Sequence, residues 1–271
     1  MTPWLQIVWD ASPIFVEIGP LSIRWYGLLF ALGFIVGFYI VRYMYRREGQ
    51  PLEDLDALLL YIIGGTVIGA RLGMLFYYPD HYLSNPTDII RIWEGGVASH
   101  GGVIGVLIAL YLYVRSRPDQ PYLWVLDRLA VPAALCAAFI RIGNVFNSEI
   151  LGVPADVPWA FVFELVDNVP RHPVQLYEAT AYLIIFATLF AIYRRYGARL
   201  STGALSGLFF VLVFTARFFA EFYKETFAPF EEELLFSMGQ LLSLPAVLLG
   251  LGLLLYARSQ SAPHRADESA S

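Results

Sequence analysis

The sequence predicts an all-α integral membrane protein: seven transmembrane helices with a small external head segment, the amino terminus outside and the carboxyl terminus cytoplasmic. Composition points there first. Hydrophobic residues make up 58% of the 271, charged residues only 15%, and the mean hydropathy is +0.58, too apolar a balance for an ordinary water-soluble domain. Seven apolar stretches follow, at roughly 22–42, 56–78, 98–115, 129–147, 174–193, 203–222 and 237–256. Each approaches the about 20 residues that a bilayer core requires. Lipid leaves the backbone no partner but itself, so each stretch is expected to be a helix.

The basic residues set the orientation. Connections after the first, third, fifth and seventh stretches hold Arg42, Arg46, Arg47, Arg115, Arg117, Arg128, Arg194, Arg195, Arg199, Arg258 and Arg265. The alternate connections hold only Arg91, Arg171 and Lys224, while Arg24, Arg71, Arg141 and Arg217 fall within spans. Short basic loops stay cytoplasmic, which places the first terminus outside.

Taken in order, residues 1–23 contain no Lys or Arg and so lack the basic region of a cleavable signal. Trp4, Trp9, Ile14 and Phe15, interrupted by Pro13 and Pro20, suit an arm lying in the outer interface. Glycines recur four apart at Gly33 and Gly37, Gly65, Gly69 and Gly73, Gly101 and Gly105, and Gly203 and Gly207, the spacing of close helix packing in lipid. Gly101-Gly102, directly after His100, is also a place where a ligand could approach the backbone. Cys136 is the single cysteine and lies among Ala and Leu. It reads as a packing residue, and no disulfide or cysteine-based metal cluster is expected. The longest external connection, 148–172, forms the head segment, and its centre Trp159-Ala-Phe-Val-Phe163 alternates as a short strand or hairpin would. Residues 1–258 then form one seven-helix domain, and the polar residues 259–271 a disordered cytoplasmic tail.

Polar residues inside the spans carry the functional information. Arg141-Ile-Gly-Asn-Val-Phe-Asn-Ser-Glu149 follows the apolar run 129–140 without a hydrophilic linker. Charged groups at that depth cost roughly 2.5 kcal/mol or more each and persist where they pair, line a cavity or meet a substrate. Given the alternating direction of the helices, Tyr26, Arg71, His100, Arg141 to Glu149, His172 to Glu178, Arg217 with Glu221, and Ser237 to Gln240 all fall in the outer half. A polar cavity open to the outside is the simplest common cause. Arg217 and Glu221 share a helical face, as do Arg141, Asn144 and Ser148. Pro173 suits the first position of the fifth span, with His172 as its cap, and Asp127 suits a cap for the fourth. Arginines held in low dielectric suit a phosphate-bearing ligand, and His100 could take or hold a proton. No Ser-His-Asp pattern, P-loop or zinc motif is present. A transporter or binding protein for anionic solutes would use the same arginines. Such folds often have paired halves and a midplane site, for which this sequence gives no sign. An envelope scaffold would leave Arg141, Asn144 and Glu149 unexplained.

These residues also carry a family resemblance. Arg141-Ile-Gly-Asn-Val-Phe-Asn-Ser-Glu-Ile-Leu-Gly152 resembles the signature of bacterial prolipoprotein diacylglyceryl transferases. Supporting matches are Ile18-Gly-Pro-Leu-Ser-Ile-Arg-Trp-Tyr-Gly27, Gly69-Ala-Arg-Leu-Gly73, Trp93-Glu-Gly-Gly, Ser99-His-Gly-Gly-Val-Ile-Gly105, Arg171-His-Pro-Val-Gln-Leu-Tyr-Glu178, Gly203-Ala-Leu-Ser-Gly-Leu-Phe209, Arg217-Phe-Phe-Ala-Glu-Phe222 and Ser237-Met-Gly-Gln240. Ile140 and Val145 stand where that family commonly has glycine and phenylalanine, and Val213 where some members have tyrosine.

The resemblance implies a reaction: the diacylglyceryl group of phosphatidylglycerol passes to the lipobox cysteine of a prolipoprotein signal peptide, forming a thioether and releasing glycerol phosphate. It implies a multi-pass protein of the bacterial plasma (inner) membrane, its active site toward the outer leaflet, with no cofactor, no metal and no nucleic-acid partner. By the same resemblance Arg141 and Arg217 take the lipid phosphate and leaving group, with Asn144 and Tyr26 as hydrogen-bonding partners. Glu149 and Glu221 hold the two arginines. His100 is the candidate base, Gly152 allows close backbone approach, and Gln175, Glu178 and Gln240 line the site.

Overall fold

In a computed structural model, residues 6–19, 21–91, 98–225 and 235–268 are described. Trp4, Pro20, the Trp93-Glu-Gly-Gly motif and residues 269–271 lie outside them. The chain is predominantly helical: α1 Trp25–Arg47, α2 Glu53–Tyr77, α3 Pro79–Ser84, α4 Ser99–Val114, α5 Tyr122–Phe146, α6 Val174–Tyr196, α7 Ala204–Ala220 and α8 Met238–Glu268. Among the described residues six helices, α1, α2, α5, α6, α7 with its following turn, and α8, are long and apolar enough to cross a membrane; α4, with 16 residues, is apolar but shorter. Every expected span therefore contains a helix, with shifted ends. The first begins at Trp25 because Leu21–Arg24 is a strand, and the fourth begins at Tyr122, before the expected 129. The helix of the last span runs on through Glu268, so 259–268 continue it where a tail was expected.

Two compact units divide the chain, residues 1–40 with 127–271, and residues 41–126. In the second unit α2 and α4 pack through glycine. A Cβ on Gly65 would stand 2.7 Å from the Ala109 Cβ, one on Gly69 2.7 Å from the Gly105 Cα, and one on Gly101 2.8 Å from the Gly73 Cα. The four-residue spacing thus brings two backbones together, and Gly101 faces α2 rather than a ligand. Gly64, one position away, has nothing within 4 Å of such a Cβ. Gly65→Ala should therefore cost about 1–3 kcal/mol by overpacking, read as a lowered midpoint of thermal unfolding in detergent, while Gly64→Ala should not. Equal behaviour of the two variants would refute the packing role.

The same unit ends in a polar knot. The Tyr45 and Tyr113 hydroxyls donate to Gln120 Oε1 at 3.0 and 2.7 Å. Gln120 Nε2 and Arg117 Nε donate to Asp54 at 2.9 and 2.7 Å. Tyr45, Tyr113 and Gln120 are buried, and their polar groups find partners in one another and in half-buried Asp54, as low dielectric demands. Arg71, buried in α2, donates to the backbone carbonyls of Asp88 and Arg91 and lies 5.2 Å from the Tyr82 ring centroid, so it holds the segment after α3.

In the first unit α1 meets α5 at glycine. A Cβ on Gly33 would stand 2.9 Å from Cys136 Sγ, and one on Gly37 3.3 Å from the Pro132 Cβ, so Cys136 is a packing residue. Gly207 on α7 and Gly250 on α8 approach equally closely. Asp127 lies within α5 and caps another helix: its carboxylate accepts from the Gly203 and Ser206 amides at 2.7 and 2.8 Å and the Ser206 hydroxyl at 2.7 Å. These are the otherwise unpaired donors at the start of α7.

The head segment is built from short extended pieces. β4 (Phe161–Phe163) pairs in parallel with β1 (Ile7–Trp9) and antiparallel with β5 (Pro170–Arg171), while β2 (Ile14–Ile18) and β3 (Leu21–Arg24) form a separate hairpin. The amino-terminal arm is thereby tied to the centre of the 148–172 connection through β1. Its core is Val145, Leu151, Phe161 and Phe163 with Trp9 and Leu176 against it. Val145, one of the departures from the family pattern, is thus a buried apolar contact. Residues 151–155 run between 223–225 and 170–172: Val153 N donates to Tyr223 O, Glu225 N to Leu151 O, and His172 N to Val153 O, at 2.9, 3.0 and 3.1 Å. Buried Arg171 locks this arrangement, donating to Asp167, Glu225 and the Gly152 carbonyl at 2.6, 2.9 and 3.3 Å. Arg171, with the Val169 amide, holds the Asp167 carboxyl below the usual range.

Candidate active site

The signature residues end α5 and turn directly into the head. α5 stops at Phe146, and Ser148 and Ile150 take left-handed φ of 51° and 59°, which is uncommon without glycine. The reversal folds Glu149 back under the helix end. Arg141 Nη1 donates to Asn144 Oδ1 at 3.3 Å, and Asn144 and Asn147 both donate to Glu149 Oε1 at 2.9 Å. Gln175, on the first turn of α6, donates to the Glu149 backbone carbonyl at 2.8 Å. α6 begins at Val174 with Pro173 as the flanking residue, one position later than expected. His172 turns aside, its Nδ1 lying 3.0 Å from the Tyr177 hydroxyl.

The carboxylate that holds Arg141 is Glu178, whose side chain is 0% exposed. Its Oε2 lies 3.0 Å from Arg141 Nε, an ion pair by distance although off the line of a hydrogen bond. Its Oε1 accepts from Lys224 Nζ at 3.1 Å and from the Tyr182 hydroxyl at 3.2 Å. Lys224, with a side chain only 7% exposed, also donates to Glu221 at 2.8 Å. The expected pairing of Glu149 with Arg141 and of Glu221 with Arg217 is therefore replaced by a chain, Arg141 to Glu178 to Lys224 to Glu221. Both opposite charges are needed there, since a buried charge without a partner is costly.

Arg217, on α7, is half-buried, and no hydrogen bond or ion pair among the described residues engages its guanidinium. Arg141 and Arg217 both lie within electrostatic reach of the Tyr182 hydroxyl, which donates to Glu178. Tyr26 packs on Gly143, where a Cβ would stand 2.9 Å from its ring, and lies within electrostatic reach of Glu149 and Arg141. Arg141 and Lys224 are matched by Glu178 and Glu221, whereas the Arg217 guanidinium, which no carboxylate among the described residues engages, is left for one anionic group such as a phosphodiester.

Other expected residues serve the frame. Gly152 is obligatory because the His172 carbonyl sits where a side chain would be, with Val174 Cγ2 2.8 Å from the same point; the close approach is of backbone to backbone. Gln240 forms a capping box with Ser237: its amide donates to Ser237 Oγ at 3.2 Å, and its side-chain oxygen accepts from Ser237 N at 3.1 Å. This caps the start of α8, and Gln240 Nε2 donates to the Phe218 carbonyl at 3.4 Å. His100 belongs to the second unit, where it is exposed and its Nδ1 lies 3.4 Å from the Tyr77 hydroxyl. Among the described residues no group of three or more His, Cys, Asp or Glu could hold a metal ion. Lys224 was missed by sequence reasoning, which counted it as a loop cation; its place three residues after Glu221 was the available signal.

Comparison with known proteins agrees with the motifs. The family model described as prolipoprotein diacylglyceryl transferase matches residues 13–256. A protein of Tolumonas auensis named phosphatidylglycerol–prolipoprotein diacylglyceryl transferase is 51% identical over 258 residues, 95% of this chain and 100% of its own length. Proteins of the same name from Chloroherpeton thalassium and Porphyromonas gingivalis are 50% and 45% identical, covering 94% and 93% of this chain and 96% and 94% of their own. With the ordered motifs, the buried arginine network at the signature and a match over nearly the whole length, the chain belongs to the prolipoprotein diacylglyceryl transferase family.

Proposed function

We propose that this protein transfers the diacylglyceryl group of phosphatidylglycerol to the lipobox cysteine of prolipoproteins, the first step of lipoprotein maturation, at a site facing the outer leaflet of the bacterial inner membrane. The observation that carries the reading is the Arg141 network, built on the family signature and enclosed by Glu178 and Lys224. The cysteine thiolate attacks the glyceryl carbon bonded to the phosphate oxygen. A C–S bond forms, that C–O bond breaks with its electron pair going to oxygen, and glycerol phosphate leaves as a monoester with one more negative charge than the diester. Arg141 and Arg217 receive that charge, and preorganised donors do so without rearranging. Tyr26 and Asn144 orient the head group and Arg141.

His100 is assigned as the base that takes the thiol proton, on its motif and on the chemistry of imidazole. The test uses purified protein, phosphatidylglycerol and a synthetic peptide with one lipobox cysteine, recording the diacylglyceryl mass gain and released glycerol phosphate. Equal amounts of both are expected. His100→Gln should lose most of the rate at neutral pH and regain it as pH rises toward the thiol's reference pKa of about 8.5, where hydroxide supplies the thiolate. A flat pH response would instead make His100 a positioning group.

A further inference from the structure

Two amide side chains flank Glu149, and each spends its nitrogen on it, Asn147 on the carboxylate and Gln175 on the backbone carbonyl. Both recipients are acceptors only, so the amides cannot be reversed, and their oxygens are the ends left over. Those oxygens, Asn147 Oδ1 and Gln175 Oε1, are buried and accept no hydrogen bond among the described residues, although Gln175 is 0% exposed. Buried carbonyls without a donor are rare in native proteins because the lost hydration goes unreplaced. Here two occur on either side of one residue, beside a backbone held left-handed at Ser148 and Ile150, the kind of strain that persists at ligand clamps.

We propose that Asn147 Oδ1 and Gln175 Oε1 form a hydroxyl-reading subsite, accepting hydrogen bonds from the free hydroxyls of the glycerol head group of the lipid donor. The assignment rests on the reading of Arg141 as the phosphate-binding residue. Arg141 reaches Glu149 through Asn144, so acceptors and guanidinium belong to one connected network, as hydroxyls and phosphate belong to one short glyceryl unit. Neutral amide oxygens complement neutral hydroxyls. A site whose buried polar groups wait for a substrate hydroxyl rejects the analogue that lacks it.

The test compares phosphatidylglycerol with phosphatidylethanol of the same acyl chains, which has no free hydroxyl, in the peptide assay with the full-length protein. Wild type should prefer phosphatidylglycerol strongly in kcat/KM. Gln175→Met and Asn147→Leu should each lower the preference by about tenfold or more. A purely structural defect would lower both donors alike, and an unchanged ratio in both variants overturns the proposal. So does a raised KM for the peptide at constant lipid preference, which would give these acceptors to peptide N–H groups. A wild-type ratio near one overturns it without any variant. Arg141→Ala, run alongside, should depress both donors; if it does not, the phosphate reading fails independently of the hydroxyl ratio.

Discussion

Arg141→Ala is expected to lower kcat for transfer by about 10²–10³-fold, the usual consequence of removing one preorganised donor from a developing negative charge. The guanidinium is held at Nε by Glu178 and at Nη1 by Asn144, which leaves the rest of its fork for substrate. Because two of its contacts are spent on orientation, Arg141→Lys should recover little: an ammonium is a point charge and cannot serve Glu178, Asn144 and a phosphate in one plane. Released glycerol phosphate and peptide mass gain, followed together, measure the effect. Arg217→Ala should be comparably damaging, since no protein anion among the described residues is bound to that guanidinium. Full activity in either alanine variant would dismiss the assigned roles.

The spans, the glycine seams and the Arg141 to Asn144 step were legible in the sequence because they depend on spacing along one helix. Apolar length gives a helix in lipid, and four-residue glycine spacing gives a flat face, whatever lies elsewhere in the chain. Partnerships between helices were not legible in the same way. Glu149 lies nearer Arg141 in sequence than Glu178 does, yet the turn at Ser148 sends its carboxylate to the asparagines while α6 delivers Glu178 to the arginine. Asp127 looked like a cap for its own helix, and the start of that helix lies five residues earlier, at Tyr122. That difference frees Asp127 to cap α7. Gly152 and Gln240 were marked by their motifs, but motifs do not separate a residue that touches substrate from one that fits backbone against backbone or closes a helix end.

Glu178 supplies the second large expected effect, and it separates holding a charge from merely filling space. Glu178→Gln keeps the volume and removes the charge, leaving Arg141 and Lys224 enclosed with one counter-charge fewer. Breaking a buried pair in this way costs about 3–5 kcal/mol, which should appear as a clear fall in the thermal midpoint of the purified protein in detergent. Lys224→Met removes the other side of the bridge. In the double variant the surplus cation is gone with its carboxylate, so the loss should be smaller than the sum of the two singles, as interacting neighbours require. Activity should divide differently. Lys224→Met leaves Glu178 beside Arg141 and should retain measurable transfer, whereas Glu178→Gln and the double variant release the guanidinium from its anchor and should lose kcat together. Additive stabilities would show that Glu178 and Lys224 do not couple. Full kcat in Glu178→Gln would return the task of orienting Arg141 to Asn144 alone.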